Sequence, residues 1–142
     1  MKKRLKSTLL VMFALALAAV YIIGCSAKTP AEADFKDISV TDAFDLIQIN
    51  QGNSDFVILD VRTPDEFNAG HINDAVNINY ESADFSSQVS KLDKNKTYLV
   101  YCRSGNRSRS ASAVLVSLGF KNVYNMLSGI NQWEAEGFPV IK

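Results

Sequence analysis

Cys102 and the residues that follow it are the part of this chain best suited to chemistry. The segment Thr97 to Tyr101 reads T-Y-L-V-Y, and Cys102-Arg103-Ser104-Gly105-Asn106-Arg107-Ser108 comes directly after it, ahead of a helical pattern. A cysteine at the carboxyl end of a strand is presented to a crevice. The unpaired N–H groups and the dipole of the next helix favour negative charge there. Arg103 and Arg107 add positive charge. Each effect favours thiolate over thiol, and comparable settings lower a cysteine pKa from about 8.5 to roughly 3.5–7.5. Such a sulfur is a nucleophile without a histidine base. Gly105 can supply the positive φ of a tight loop, and successive N–H groups curled about one point form an anion nest. The plainer reading is a buried cysteine at a strand end beside solvated arginines. The Arg and Ser residues around the thiol, in place of apolar ones, argue against it.

The charge pattern agrees with an anionic substrate at this loop. Between Lys94 and Trp133 there is no acidic residue, but there are six basic ones: Lys94, Lys96, Arg103, Arg107, Arg109 and Lys121.

The elements that must position this loop can be read from periodicity and punctuation. Ser39, three residues before Asp42, resembles a capping-box start. Val40, Phe44, Ile47 and Ile49 then lie near one helical face, with Gly52 as a stop. Phe56-Val57-Ile58-Leu59 is a continuous apolar run, as expected of a strand buried on both faces. Thr63-Pro64 predicts an N-cap with Pro at the first helical position, and Gly70 ends that helix. Val76 to Ile78 reads as a short strand and Glu81 to Leu92 as a helix. Thr97 to Tyr101 is a second central strand. Arg107 to Leu118 is helical, with Gly119 as its stop. Val123-Tyr124 is a last strand, and Ile130 to Glu136 a short helix. This alternation predicts an α/β fold, a parallel sheet with helices on both faces. In such sheets ligands bind at the carboxyl ends of strands, here just after Asp60 and just after Tyr101.

The loop C-R-S-G-N-R-S, followed by a helix of small residues, closely resembles the active-site loop of single-domain rhodaneses. Asp60-Val61-Arg62, Glu66-Phe67, Gly70-His71-Ile72 and Ala75 to Ile78 are similar to the first signature of that family. Gly129-Ile130, Trp133 and Gly137-Phe138-Pro139-Val140 are similar to its closing signature. Asp74 and Ser128 depart from it, standing where the family commonly has glycine; both lie near turns, so local adjustment without loss of function is expected. The resemblance covers residues 35–142 and implies a rhodanese-like three-layer fold. It also implies a mechanism. The Cys102 thiolate takes the outer sulfur of a small anionic donor such as thiosulfate, or of a persulfide, and passes it to a thiol or cyanide acceptor. Loop N–H groups from Arg103 through Ser104, Gly105 and Asn106 to Arg107 would hold the persulfide, and the two arginines the donor's anionic end. Dual-specificity phosphatases of the same fold have a loop one residue longer, with arginine six positions after cysteine. Here Arg107 is five positions after, and Ser108 stands at the sixth. The shorter loop favours sulfur over phosphate or arsenate chemistry. A carrier or anion-binding module that turns over slowly is the alternative from a different class.

Other residues have quieter readings. His71, the only histidine, sits beside a turn glycine and is expected to make structural hydrogen bonds. One histidine and one free cysteine cannot supply the three or four ligands of a zinc site, so no metal or other cofactor is expected. Asp60 and Arg62 either shape the rim of the site or form an internal salt bridge that orients loops. Arg109 could supplement the anion site or lie on a solvated face. Trp133 is expected in the core. Ser108, Ser110, Ala111, Ser112 and Ala113 are small enough for close helix-on-sheet packing.

The first residues read as an export signal. Lys2, Lys3, Arg4 and Lys6 precede an apolar run of 15 residues, Leu9 to Ile23. A spanning helix needs about 20 residues, whereas signal cores run about 7–15. The run ends at Gly24-Cys25, which resembles a bacterial lipobox. Residues 1–24 are therefore expected as a lipoprotein signal peptide, Cys25 as the lipidated residue, 25–35 as a linker and 36–142 as the catalytic domain. The expected location is the extracytoplasmic side of a cell membrane, held by the lipid anchor. Acylation of Cys25 would leave Cys102 as the only free thiol. Beyond residue 24 there are 11 basic and 15 acidic side chains, a net of −4, which gives no general attraction to nucleic acid. A monomer is expected.

Overall fold

The computed structural model describes residues 34–142. The expected signal peptide, Cys25 and nearly all of the linker lie outside the described residues. Strand β1 (Lys36–Ile38) opens the domain and leads into helix α1 (Val40–Ile49). Then come β2 (Phe56–Asp60), α2 (Pro64–Ala69), β3 (Val76–Asn77) and α3 (Phe85–Val89). The chain finishes with β4 (Thr97–Tyr101), α4 (Asn106–Ser117), β5 (Asn122–Met126) and α5 (Gly129–Ala135). The strands form one sheet in the order β1-β5-β4-β2-β3, and every pairing is parallel. The α/β architecture expected from the sequence is the one present.

Period-two alternation sends the central strands' side chains into two cores. Leu59, Tyr98, Val100 and Val123 pack with Phe85, Val89, Ala111 and Leu115, which belong to α3 and α4. Ile58, Leu99, Tyr101 and Met126 pack with Val40, Ala43, Ile130 and Trp133, from α1 and α5. The sheet therefore has helices on both faces, and β4 is apolar on both sides because it faces a core on each.

Local chemistry explains the ends of the elements. The Ser39 side chain accepts from the Asp42 N–H at 3.1 Å and so caps α1. Thr63 and Glu66 make a reciprocal capping box at the start of α2. Some expectations need correction. Ile49, placed with the apolar face of α1, is 79% exposed. Helix α1 ends at an Asn50 cap, before Gly52. The helix expected over 81–92 is confined to Phe85–Val89. Strand β1 was not anticipated, and Phe35, assigned to the linker, packs against the α3/α4 core.

Candidate active site

The site lies where two adjacent strands end. Asp60 of β2 is in register with Tyr101 of β4, and the Val61 N–H bonds the Tyr101 carbonyl at 3.0 Å. The chain leaves β4 at Cys102 and turns through Arg103, Ser104 and Gly105 into α4. Gly105 takes φ 95°, in the left-handed region. This directs its N–H back to Cys102 Sγ at 3.2 Å.

The expected crevice-exposed thiol is not what the fold produces. Cys102 is 1% exposed and forms part of the α3/α4 core. Its Sγ is covered by its own loop, whose Gly105 N–H is directed at it. Burial alone raises the thiol pKa, but hydrogen bonds from the Ser108 side chain and from the Ser108, Ser104 and Gly105 backbones outweigh it, so the net shift is downward. The thiolate is thus stabilised by donors aimed at it, not by contact with solvent. Ser108 is fully buried and was read from the sequence only as a packing residue. Its hydroxyl lies 3.1 Å from the Gly105 carbonyl, and its single proton can turn to that carbonyl or to the sulfur.

The two loop arginines have different surroundings. Arg103, Ser104 and Asn106 are exposed at the mouth of the loop. Arg107, expected to grip a substrate anion, instead forms a bidentate pair with Glu66 of α2. Nη1 reaches Oε2 and Nη2 reaches Oε1, each at 2.8 Å. Glu81 adds a longer contact at 3.4 Å. The hydrogen bonds from Arg107 hold the Glu66 carboxyl down at about 2, and Glu66 in turn raises the Arg107 guanidinium further. Arg109 turns away from the site. It pairs with Asp37 and sits over the Phe35 ring.

Asp60 and Arg62 lie behind the site and not on its rim. They are 0% and 5% exposed, and their charges meet at 2.6 Å. Arg62 also donates to the Gly70 carbonyl at 2.7 Å and lies over the Tyr101 ring. Tyr101 Oη accepts from the Ile72 N–H at 3.2 Å. This buried cluster ties the end of β2, the end of β4 and the Gly70 turn together. His71 belongs to the same scaffold. Its Nδ1 is 2.9 Å from the Phe67 carbonyl, and its backbone pairs with Ile141. Trp133 is in the core, with Nε1 bonded to the Pro139 carbonyl.

Helix α5 supports the loop from below. The Ile130 and Asn131 N–H groups donate to the Cys102 and Arg103 carbonyls at 2.9 and 3.2 Å. This needs a very close approach at Gly129, where a Cβ would stand 2.5 Å from the Cys102 and Arg103 carbonyl oxygens. The two departures from the family pattern, Asp74 and Ser128, are the only non-glycine residues with positive φ among the described residues, both at 61°. The backbone at these positions keeps the geometry that glycine would adopt most easily. A cavity of about 450 Å³ lies elsewhere, lined by Phe44, Ile47, Gln48, Trp133 and others; no residue of the Cys102 loop lines it.

A parallel five-stranded sheet with a cysteine cup closing its central strand defines a rhodanese-like domain. The family model described as "Rhodanese-like domain" matches residues 44–136, and the chain belongs to that family. The thiosulfate sulfurtransferase GlpE of Coxiella burnetii is 37% identical over 101 residues, covering 71% of this chain and 89% of that protein. A sulfurtransferase of Allochromatium vinosum is 32% identical over 104 residues, covering 73% and 95%. Among solved structures, a rhodanese-related protein of Thermoplasma volcanium superposes with a TM-score of 0.65 at 32% identity, covering 75% of this chain and 98% of that one.

Proposed function

We propose that this protein is a thiosulfate- or persulfide-using sulfurtransferase, and that Cys102 carries the sulfur. The Cys102 thiolate attacks the outer sulfur of the donor. With thiosulfate, the S–S bond breaks and sulfite leaves with the electron pair, so Cys102 becomes a persulfide. Cyanide or a thiolate then attacks the terminal sulfur, forms the new bond and returns the thiolate to Cys102. This is two-step covalent catalysis. The observation that carries it is the Gly105 N–H directed at Cys102 Sγ within a six-residue loop. A cup that narrow accommodates one added sulfur atom, whereas a phosphoryl group brings three oxygens. Ser104, Gly105 and Asn106 would supply backbone donors to the terminal sulfur. Arg103, exposed at the mouth, would meet the donor's anionic end, and Arg107 would serve mainly to tie the loop to α2. Asp60 and Arg62 would hold the loop from behind. The test is sulfite release from thiosulfate with cyanide as acceptor. Turnover that disappears in Cys102→Ser is expected. Formation of a persulfide without turnover would replace the enzyme reading with a carrier reading.

We further propose that Cys25 is lipidated and holds the domain at the outer face of a membrane. The apolar run ending at Gly24-Cys25 supports this. Cys25→Ser is expected to leave the protein unlipidated by intact mass; a wild-type mass equal to that of the unprocessed, unlipidated chain would refute it.

A further inference from the structure

Two guanidinium groups flank the Cys102 loop, and two carboxylates offset them. Arg107 is held by both oxygens of Glu66 at 2.8 Å and contacted by Glu81 at 3.4 Å. Glu66 is itself fixed in place, since the Thr63 N–H and hydroxyl both bond its Oε2 at 3.1 Å. The end-on bidentate edge of Arg107, Nη1 and Nη2, is therefore taken by Glu66. Arg103 is exposed and makes no ion pair among the described residues. Four formal charges thus surround the cup and cancel, which leaves the negative charge of the reacting Cys102 thiolate uncompensated, although the sequence from Lys94 to Trp133 is wholly basic in its charged residues. The cancelling carboxylates come from α2 and from the segment before α3, outside that stretch.

An anion entering such a site meets repulsion in proportion to its own charge. We infer that Glu66 and Glu81 select the donor by charge: the site favours sulfane-sulfur donors bearing one negative charge, such as an organic thiosulfonate, over the thiosulfate dianion. This rests on the sulfur-transfer reading above. The chemistry is the same for both donors. The Cys102 thiolate bonds to the outer sulfur, the donor S–S bond breaks, and the leaving group departs with the electron pair. It leaves as sulfite from thiosulfate and as sulfinate from the thiosulfonate.

The experiment measures kcat/KM for thiosulfate and for benzenethiosulfonate, with cyanide as acceptor, in the full chain and in Glu66→Gln and Glu81→Gln. Neutralising one carboxylate should raise the thiosulfate value about threefold to tenfold and the thiosulfonate value only about twofold to threefold. The gain should sit mainly in KM and shrink at high salt. Glu81 has a largely exposed side chain outside any helix, so Glu81→Gln decides the matter if Glu66→Gln fails to fold. Equal gains for the two donors, no gain, or a loss would overturn the charge selection and leave the sulfurtransferase reading intact. Absence of transfer from either donor in every form would overturn both.

Discussion

At Cys102, burial and hydrogen bonding pull the thiol in opposite directions, and the donors prevail. The thiolate absorbance of wild type minus Cys102→Ser should therefore titrate below that of an ordinary cysteine. Ser108→Ala removes one donor and should move that midpoint upward; an unmoved midpoint would mean the hydroxyl serves only the Gly105 carbonyl. A second pH effect belongs to Glu66. Its folded pKa of about 2 lies below the ordinary 4.5. The pair with Arg107 thus contributes stability that is complete above about 4.5 and is lost as pH falls toward 2. Urea midpoints measured across that window should fall less steeply in Glu66→Gln than in wild type. Sequence patterns showed the thiol and its arginines but neither its burial nor the partner of Arg107. Glu66 stands 41 positions away. Its place three residues after Thr63 signalled a helix cap, and nothing local to either residue signals the ion pair.

Among the elements, α5 has the most exacting contact with the loop. Gly129→Ala places a methyl against the Cys102 and Arg103 carbonyls at 2.5 Å, a backbone clash that only a shift of the loop or helix relieves. It should lower activity sharply and stability with it. Gly119→Ala is the control, since it also has positive φ but meets open space; it should cost about 1–2 kcal/mol and leave activity intact. Equal behaviour of the two variants, judged by urea midpoints and sulfite release, would exclude the packing account. The strands that carry strong signals in the sequence were β2 and β4, each five residues long and built on a run of four apolar or aromatic residues. Strand β1 was invisible because Lys36-Asp37-Ile38 is a short edge strand defined by pairing with β5, not by composition. The segment after Glu81 read as a longer helix because its apolar residues are spaced for one. Its first residues are instead closed into turns by local backbone bonds, Ser82 N–H to the Asn79 carbonyl and Phe85 N–H to the Ser82 carbonyl, each at 3.1 Å.

At the scale of the whole domain, two cores share one sheet, and β4 feeds both. Val100 faces α4, whereas Trp133, the only tryptophan, lies in the opposite core. Val100→Ala should cost about 1–4 kcal/mol. If the domain unfolds as one unit, the Trp133 fluorescence transition should move in urea by as much as the far-ultraviolet circular dichroism transition does. Separate midpoints would show that the layers melt independently.

The recessed position of Cys102 makes the proposed cycle lopsided in reach. The bare thiol sits at the floor of its cup, where only a slim reactant presenting a sulfur end-on arrives. Loading would add one S–S bond of about 2.05 Å, which would carry the transferable atom outward from the buried Sγ. A bulky maleimide should thus label the loaded protein faster than the unloaded one. In the proposed cycle the resting form would hide its sulfur from oxidants and large thiols, and only the loaded form would display it to an acceptor.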